Sequence, residues 1–309
     1  MSNLNIREIK TKDLTWLDVS TCRPREMKYI EQRFKFHRLH IDDCLSPIQG
    51  PKIDVTSEYL FMVLLFPLYN RHTRKIISSE VDFFINSNTL VTVHHGELSP
   101  LVNFFNLCQI NKKQREKYFI GSPAFLIYEN LNRLFGVSNS IIGNINLNIN
   151  SIEENIFKGY EKTMVKEILV AKTNIVNIRR ITQTHRLVVS KLLKKSSLFF
   201  SPGQLRVYFE DVIETAEDIW QNLETLKETI EAVEQTNNSL ISFQLNDIIK
   251  ILTIISIVVL PISLIGTVFG MNLKYLPLSN EPFFFWILSG AMVLIITFLV
   301  SYFKKKKWF

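Results

Sequence analysis

Two stretches near the C-terminal end of this sequence restrict its architecture more than any other feature. Ile251 to Gly270 reads ILTIISIVVLPISLIGTVFG and Phe283 to Phe303 reads FFFWILSGAMVLIITFLVSYF, and neither contains a charged residue. Each runs for about twenty residues, enough to cross the hydrocarbon core of a bilayer as a helix. Core helices of soluble domains are as a rule shorter and amphipathic, so the pair reads as a membrane hairpin. Its connection, MNLKYLPLSNEP, carries one lysine, Lys274, and one acid, Glu281, whereas Lys304, Lys305, Lys306 and Lys307 directly follow the second stretch. Lysine excess marks the cytoplasmic side, which predicts a multi-pass protein of the cell membrane with both termini in the cytosol. Trp286 near one interface, with Tyr302 and Trp308 near the other, would serve as aromatic anchors.

The net charge of +7 would by itself raise a polyanionic partner. Four of those charges are the lysine tail, so nucleic acid is not indicated and lipid headgroups are the simpler partner. Glycine is scarce, at 10 of 309 residues, which disfavours glycine-rich phosphate loops. Neither Gly-x-Ser-x-Gly nor His-Glu-x-x-His occurs, so an enzyme is not expected. Cys22, Cys44 and Cys108 form neither a disulfide framework nor a metal knuckle and fit a reducing compartment. The charged start, MSNLNIREIKTKDLTWLD, has no apolar stretch of the kind a secretory signal needs.

Between Pro202-Gly203 and Pro261 no glycine or proline interrupts about 57 residues, which as one helix would extend ~86 Å. Val212, Ala216, Ile219, Leu223, Leu226, Ile230 and Val233 follow 4,3 spacing, a heptad seam that requires a packed helical partner. The remaining faces are acidic, with Glu210, Asp211, Glu214, Glu217, Asp218, Glu224, Glu228, Glu231 and Glu234 opposed locally by Arg206 and Lys227 alone. Such a bias suits a solvated face and also suits divalent cations. Residues 151–196, rich in Lys and Arg and broken once at Gly159, are the expected antiparallel partner. Earlier in the chain, Tyr59 to Phe66 reads as a buried strand, and VDFFI and TLVTV flank Asn86-Ser87-Asn88 as a hairpin.

Along the first apolar stretch, steps of three and four select Asn246, Ile249, Thr253, Ser256, Leu260, Ser263, Thr267 and Gly270. Lipid cannot satisfy hydroxyl and amide groups, so this stripe is expected to face other helices or water. Several copies of one striped helix around an axis could enclose a pore, with Ile249 and Leu260 as apolar constrictions and Leu252 also on the lining. The stripe ends at Phe269-Gly270-Met271-Asn272. With this Gly-Met-Asn tripeptide closing the first of two C-terminal spans, the sequence resembles the CorA family of magnesium transporters. The likeness extends over NDIIKILTIISIVVLPISLIGTVFGMN, YFEDV (Tyr208 to Val212), the final YFKKKKWF, and FHRLHIDDCLSPIQGPKI with EYLFMVLLF.

The resemblance implies a funnel-shaped homopentamer with an α+β cytosolic domain, long stalk helices and two C-terminal transmembrane helices. It divides the chain into a cytosolic α/β domain (1–135), long helices including the stalk (136–248), a pore-lining span (249–270), an outer loop (271–282), a second span (283–303) and a basic tail (304–309). The implied partners are other copies of the chain and membrane lipid, without nucleic acid or another protein. Mg²⁺ is implied as both transported ion and regulatory ligand, with Co²⁺ or Ni²⁺ as further cargo. Gly270, Met271 and Asn272 would form the selectivity filter: Asn272 contacting the ion's hydration water, Gly270 allowing close approach or a positive φ, and Met271 supporting the turn by packing. Asn246, Ile249 and Leu260 resemble the family's inner polar ring and hydrophobic gate. Asp43 and Asp211 match the acids that hold a regulatory Mg²⁺ between subunits, and Asp42 with Glu129 is a second, gapped match.

The sequence departs from the family where the outer loop reads Tyr275-Leu276-Pro277-Leu278 in place of an acidic stretch, and where Asn144 to Asn150 replaces an acid-rich helix segment. A zinc or cobalt/nickel transporter on the same fold is the nearest rival, since His37 and His40 stand beside Asp42-Asp43. A membrane-anchored scaffold would explain the heptad seam but neither the polar stripe nor Asn272.

Overall fold

The computed structural model describes residues 4–46, 50–195, 199, 206–271 and 283–306. These form two units, residues 1–234 and 235–309, with the longest helix common to both by chain continuity.

The first unit is built on a six-stranded sheet of order β1-β2-β6-β5-β4-β3. Its strands are β1 (Ile6–Lys10), β2 (Thr15–Val19), β3 (Lys52–Val55), β4 (Leu60–Asn70), β5 (Lys75–Ile85) and β6 (Thr89–His94). All neighbours run antiparallel except β2 and β6, which are parallel. The expected strand from Tyr59 extends to Asn70, where the side-chain oxygen of Asn70 accepts from His72 N and Thr73 N and turns the chain into β5. The second hairpin turns at Asn86-Ser87-Asn88 as its residue types dictate, Asn86 Oδ1 accepting from Asn88 N.

Helices cover both faces of the sheet, because alternate strand residues are apolar on each side. On one face, Leu17, Val19, Phe61, Val63, Phe84, Val91 and Val93 pack with Met27 and Ile30 of α1 (Pro24–Phe34) and Ile41 and Cys44 of α2 (Arg38–Leu45). On the other, Trp16 meets Phe104 and Phe105 of α3 (Ser99–Ile110), and Phe66 meets Phe135 of α5 (Ala124–Phe157). α4 (Lys112–Tyr118) joins these two helices. Beneath α3 lies a buried polar group: Asp18 accepts from Arg7, from Thr92 Oγ1 at 2.8 Å and from His94 Nε2 at 3.0 Å.

The helical hairpin reaches further back than its sequence pattern suggested. α5 starts at Ala124, ahead of residue 136, the expected start of the long helices, and of the basic segment from 151; α6 (Glu161–Thr182) and α7 (His185–Lys195) follow the break at Gly159, where φ is +90°. α8 (Arg206–Gly270) then runs unbroken for 65 residues with Pro261 inside it. The heptad seam is buried throughout, from Val212 to Val233. Ion pairs Lys172–Glu234, Arg179–Glu224 and Arg186–Glu217 descend along α6 and α7 as they ascend α8, so the basic segment is the antiparallel partner of the acidic one.

In the second unit, the later part of α8 and α9 (Phe284–Lys305) are long and apolar enough to cross a membrane. Large apolar side chains on both are uncovered, Leu252 at 63 %, Leu260 at 65 % and Leu294 at 71 % exposure. Water would penalise such surfaces by ~1.5–3 kcal/mol per side chain, so a lipid or protein covering is required.

Candidate ion-conduction and regulatory sites

The carboxylates singled out in the cytosolic part sit on α2, α5 and α8. Helix α2 starts at His37, whose Nδ1 accepts from Leu39 N, and it buries His40, Ile41 and Cys44 against the sheet. That anchoring leaves Asp42 and Asp43 on the rim. Asp42 is exposed and receives Arg38 Nε at 3.1 Å, one turn back. Asp43 is more enclosed and accepts from Lys52 Nζ, at the start of edge strand β3, at 2.6 Å. The same ammonium lies 3.6 Å from Asp54 Oδ2 and 5.5 Å above the ring of Phe61. Lys52 lies nine positions from Asp43, and no helical or strand period links them; only the return of the chain into β3 does.

Asp211 is exposed on the second turn of α8. Around it, the Tyr208 ring meets Phe125 edge-on and Tyr128 at a tilt, both of α5, with centroids 5.8 and 4.9 Å away. Burial raises the pKa of the Tyr128 hydroxyl, and the charge of nearby Asp211 adds to that rise. Glu129, on the same helix, is paired with Arg133 at 2.6 Å and is close to Tyr118 Oη. Within one chain, then, Asp42 and Glu129 each have an arginine and Asp43 has a lysine, while Asp211 is exposed beside the Tyr128 hydroxyl.

The two histidines beside this region have structural tasks. Tyr59 Oη accepts from His37 N at 2.8 Å and lies 2.7 Å from His40 Nδ1, and the His40 ring stacks on Phe61. Burial lowers the His40 pKa, with Asp54 partly opposing. Among the described residues no cluster of three or more His, Cys, Asp or Glu side chains has the arrangement a metal ion needs. Two-carboxylate sites completed by a second copy would not form such a cluster in one chain.

Asn246, Ile249, Leu252, Thr253, Ser256, Leu260, Ser263 and Thr267 all lie on α8. Three of the four hydroxyls of the stripe have a partner within the helix: Thr253 Oγ1 donates to Ile249 O at 2.8 Å, Ser256 Oγ to Leu252 O at 2.9 Å and Thr267 Oγ1 to Ser263 O at 2.7 Å. Their protons are used within the helix, which weakens the argument that lipid could not accommodate them, and their oxygens remain as outward acceptors. At the end of α8, Gly270 does not take a positive φ, and a Cβ there would meet open space within the chain. Met271 is 50 % exposed, so it does not brace the turn by packing within one chain. Asn272, with the outer-loop residues 273–282, lies outside the described residues.

Comparisons with known proteins agree with this architecture. The family model described as "CorA-like Mg2+ transporter protein" matches residues 11–305. The cobalt/magnesium transport protein CorA of Methanocaldococcus jannaschii is 25% identical over 304 residues, covering 97% of this chain and 94% of its own. The protein of the same description from Thermotoga maritima is 25% identical over 320 residues, covering 98% of this chain and 89% of its own. The complete structure of the Methanocaldococcus jannaschii CorA magnesium transporter superposes with a TM-score of 0.84 at 22% identity, covering 98% of this chain and 94% of that one, and so shares the fold. That family model spans the chain from just after β1 to the end of α9, and the chain belongs to the CorA-like Mg²⁺ transporter family, whose members are transporters rather than enzymes.

Proposed function

We propose that the chain forms a homopentameric Mg²⁺ channel of the cell membrane, both termini cytosolic, and that cytosolic Mg²⁺ closes it. The observation that carries this reading is the single helix α8, which bears Asp211 near its start, the polar stripe along its apolar half and Gly270 at its end. Five copies of the stripe would line a pore whose oxygens can accept hydrogen bonds from hydration water, because the hydroxyl protons of Thr253, Ser256 and Thr267 face the helix's own carbonyls. Mg²⁺ gives up its water reluctantly, so recognition falls to carbonyl and amide oxygens around a hydrated ion. Asn272 would supply those oxygens, and the absence of a side chain at Gly270 allows neighbouring copies to approach at the same level. Ile249 and Leu260 would be the apolar constrictions and Asn246 the inner polar ring. Co²⁺ and Ni²⁺, similar in size when hydrated, would also pass.

For regulation, Asp43 of one copy would face Asp211 of the next. Both are carboxylates accessible from outside their own chain, which suits a hydrated divalent cation. With the ion bound, the two negative charges are bridged and neighbouring subunits hold together; without it they repel and the ring loosens. Each site shifts the equilibrium only by its differential affinity, and five sites add. Asp42 and Glu129 would form a second, weaker site, since each must first leave its arginine. The deciding experiment is Mg²⁺ uptake into proteoliposomes. Wild type should carry Mg²⁺, and Asn272→Ala should lose uptake while assembling normally; wild-type flux in that variant would overturn the filter assignment.

A further inference from the structure

We infer that Lys52 is a tethered competitor for the divalent cation at Asp43 and sets the concentration at which the regulatory site fills; the inference rests on the regulatory reading above. The ammonium already occupies one oxygen of the carboxylate, with Nζ 2.6 Å from Asp43 Oδ2. It is not a loose surface contact. Lys52 is the first residue of β3, its backbone is paired with β4 opposite Val63, its Nζ is also 3.6 Å from Asp54, and it lies above Phe61. These contacts fix the position of the charge, so it cannot swing away at little cost when a second cation arrives.

Its charge is also felt inside the sheet. Asp82, on β5 and buried beneath α2, has its carboxyl held well above the usual carboxylate range by burial and by the charge of Glu80, and Lys52 opposes that rise. Lys52 is thus the cation shared by Asp43 and Asp54 at the edge of the sheet. A Mg²⁺ ion at Asp43, still hydrated, would stand about 6 Å from the ammonium. With water-like screening, that repulsion alone weakens binding about tenfold, before any cost of giving up the Lys52 hydrogen bond. The lysine thus raises the Mg²⁺ concentration needed to close the channel, and keeps the empty carboxylate from attracting monovalent ions.

The test uses the full-length protein in detergent and in proteoliposomes, with Mg²⁺ as the probe. Two quantities are read: the Mg²⁺ concentration giving half of the maximal rise in melting temperature, and the concentration that halves the channel current. Lys52→Met should lower both about tenfold, and Lys52→Arg, which keeps the charge, should stay within about twofold of wild type. Lys52→Gln carries the same expectation as Lys52→Met and replaces it if the methionine variant does not assemble. Unchanged or raised Mg²⁺ requirements in the neutral variants would overturn the inference and make Lys52 a residue that merely orients Asp43. Asp43→Asn separates the two readings. If it responds to Mg²⁺ as wild type does, the regulatory site itself is wrong; if it loses the response while Lys52→Met titrates like wild type, only the role of Lys52 falls.

Discussion

His185 illustrates how one buried residue makes the cytosolic unit sensitive to acid. It begins α7, is fully buried, and its Nε2 donates to Leu65 O at 2.6 Å between the rings of Phe66 and Phe135. Burial holds its pKa down to about 4, with the Leu65 carbonyl pulling weakly the other way. Because the folded-state value lies below the unfolded one of about 6.5, the unfolded chain binds a proton first as pH falls. The stability contributed by neutral His185 is complete above about pH 6.5 and is lost on the way down to pH 4, at most about 3 kcal/mol. His185→Gln, which can still donate to Leu65, should flatten the decline in melting temperature between pH 7 and 4.5 relative to wild type; parallel declines would refute this. Asp18 acts in a lower window. Burial favours its neutral form, but the bonds from His94, Arg7 and Thr92 outweigh that and leave its pKa below the ordinary value, so its contribution persists above about pH 4 and fades below it. Asp18→Asn at neutral pH leaves Arg7 without its anionic partner and should cost about 3 kcal/mol, read as a lowered urea midpoint with unchanged oligomeric state.

At the level of elements, the heptad seam is the face that α8 buries, while ion pairs tie the helix to α6 and α7. Leu223 is fully buried at its centre, so Leu223→Ala should destabilise the first unit by about 2–5 kcal/mol, whereas Glu228→Ala on the exposed face should change the melting temperature little. Comparable losses in both would mean that the seam is not the packed face. This element was legible in the sequence because heptad spacing is local, and so were β4 and the β5–β6 hairpin, whose residue types and turn asparagines are contiguous. The start of α5 was not. Gly136, Gly143 and four asparagines between Asn144 and Asn150 depress helix propensity, yet Ile142, Ile145, Ile149, Ile152 and Ile156 keep a buried stripe at helical spacing, and packing overrides propensity. The site divides in the same way. Asp42, Asp43 and Asp211 stood in recognisable local motifs, while Lys52 became visible only when the sheet returned it to α2. Want of a partner in lipid is an incomplete reason for the polar stripe, since bonds to the preceding turn satisfy the hydroxyl protons of Thr253, Ser256 and Thr267 without any neighbour.

For the molecule as a whole, the uncovered apolar helices and the exposed Asp211, which has no cationic partner among the described residues, suit the proposed assembly of several copies. A single hairpin cannot enclose a conduction path, and in the proposed assembly a carboxylate pair bridged between copies would link the state of the cytosolic units to the ring. The assembly model makes a specific geometric claim, that Asp43 of one subunit faces Asp211 of its neighbour around a closed ring. Replacing both residues, Asp43→Cys with Asp211→Cys, and treating the membrane-embedded protein with a mild oxidant should give a ladder of disulfide-linked species on a non-reducing gel. The ladder should end at five chains, and neither single substitution should produce it. The native thiols interfere little, because Cys44 and Cys108 are buried, and burial raises the pKa of Cys22 and of Cys108 to about 12, which suppresses the thiolate needed for oxidation. A pair that joined within one subunit would leave the monomer band in place with altered mobility, and a ladder ending at another number would assign a different ring. Monomer alone, from protein that still conducts Mg²⁺, would show that the two positions never approach and that closure by cytosolic Mg²⁺ must act elsewhere.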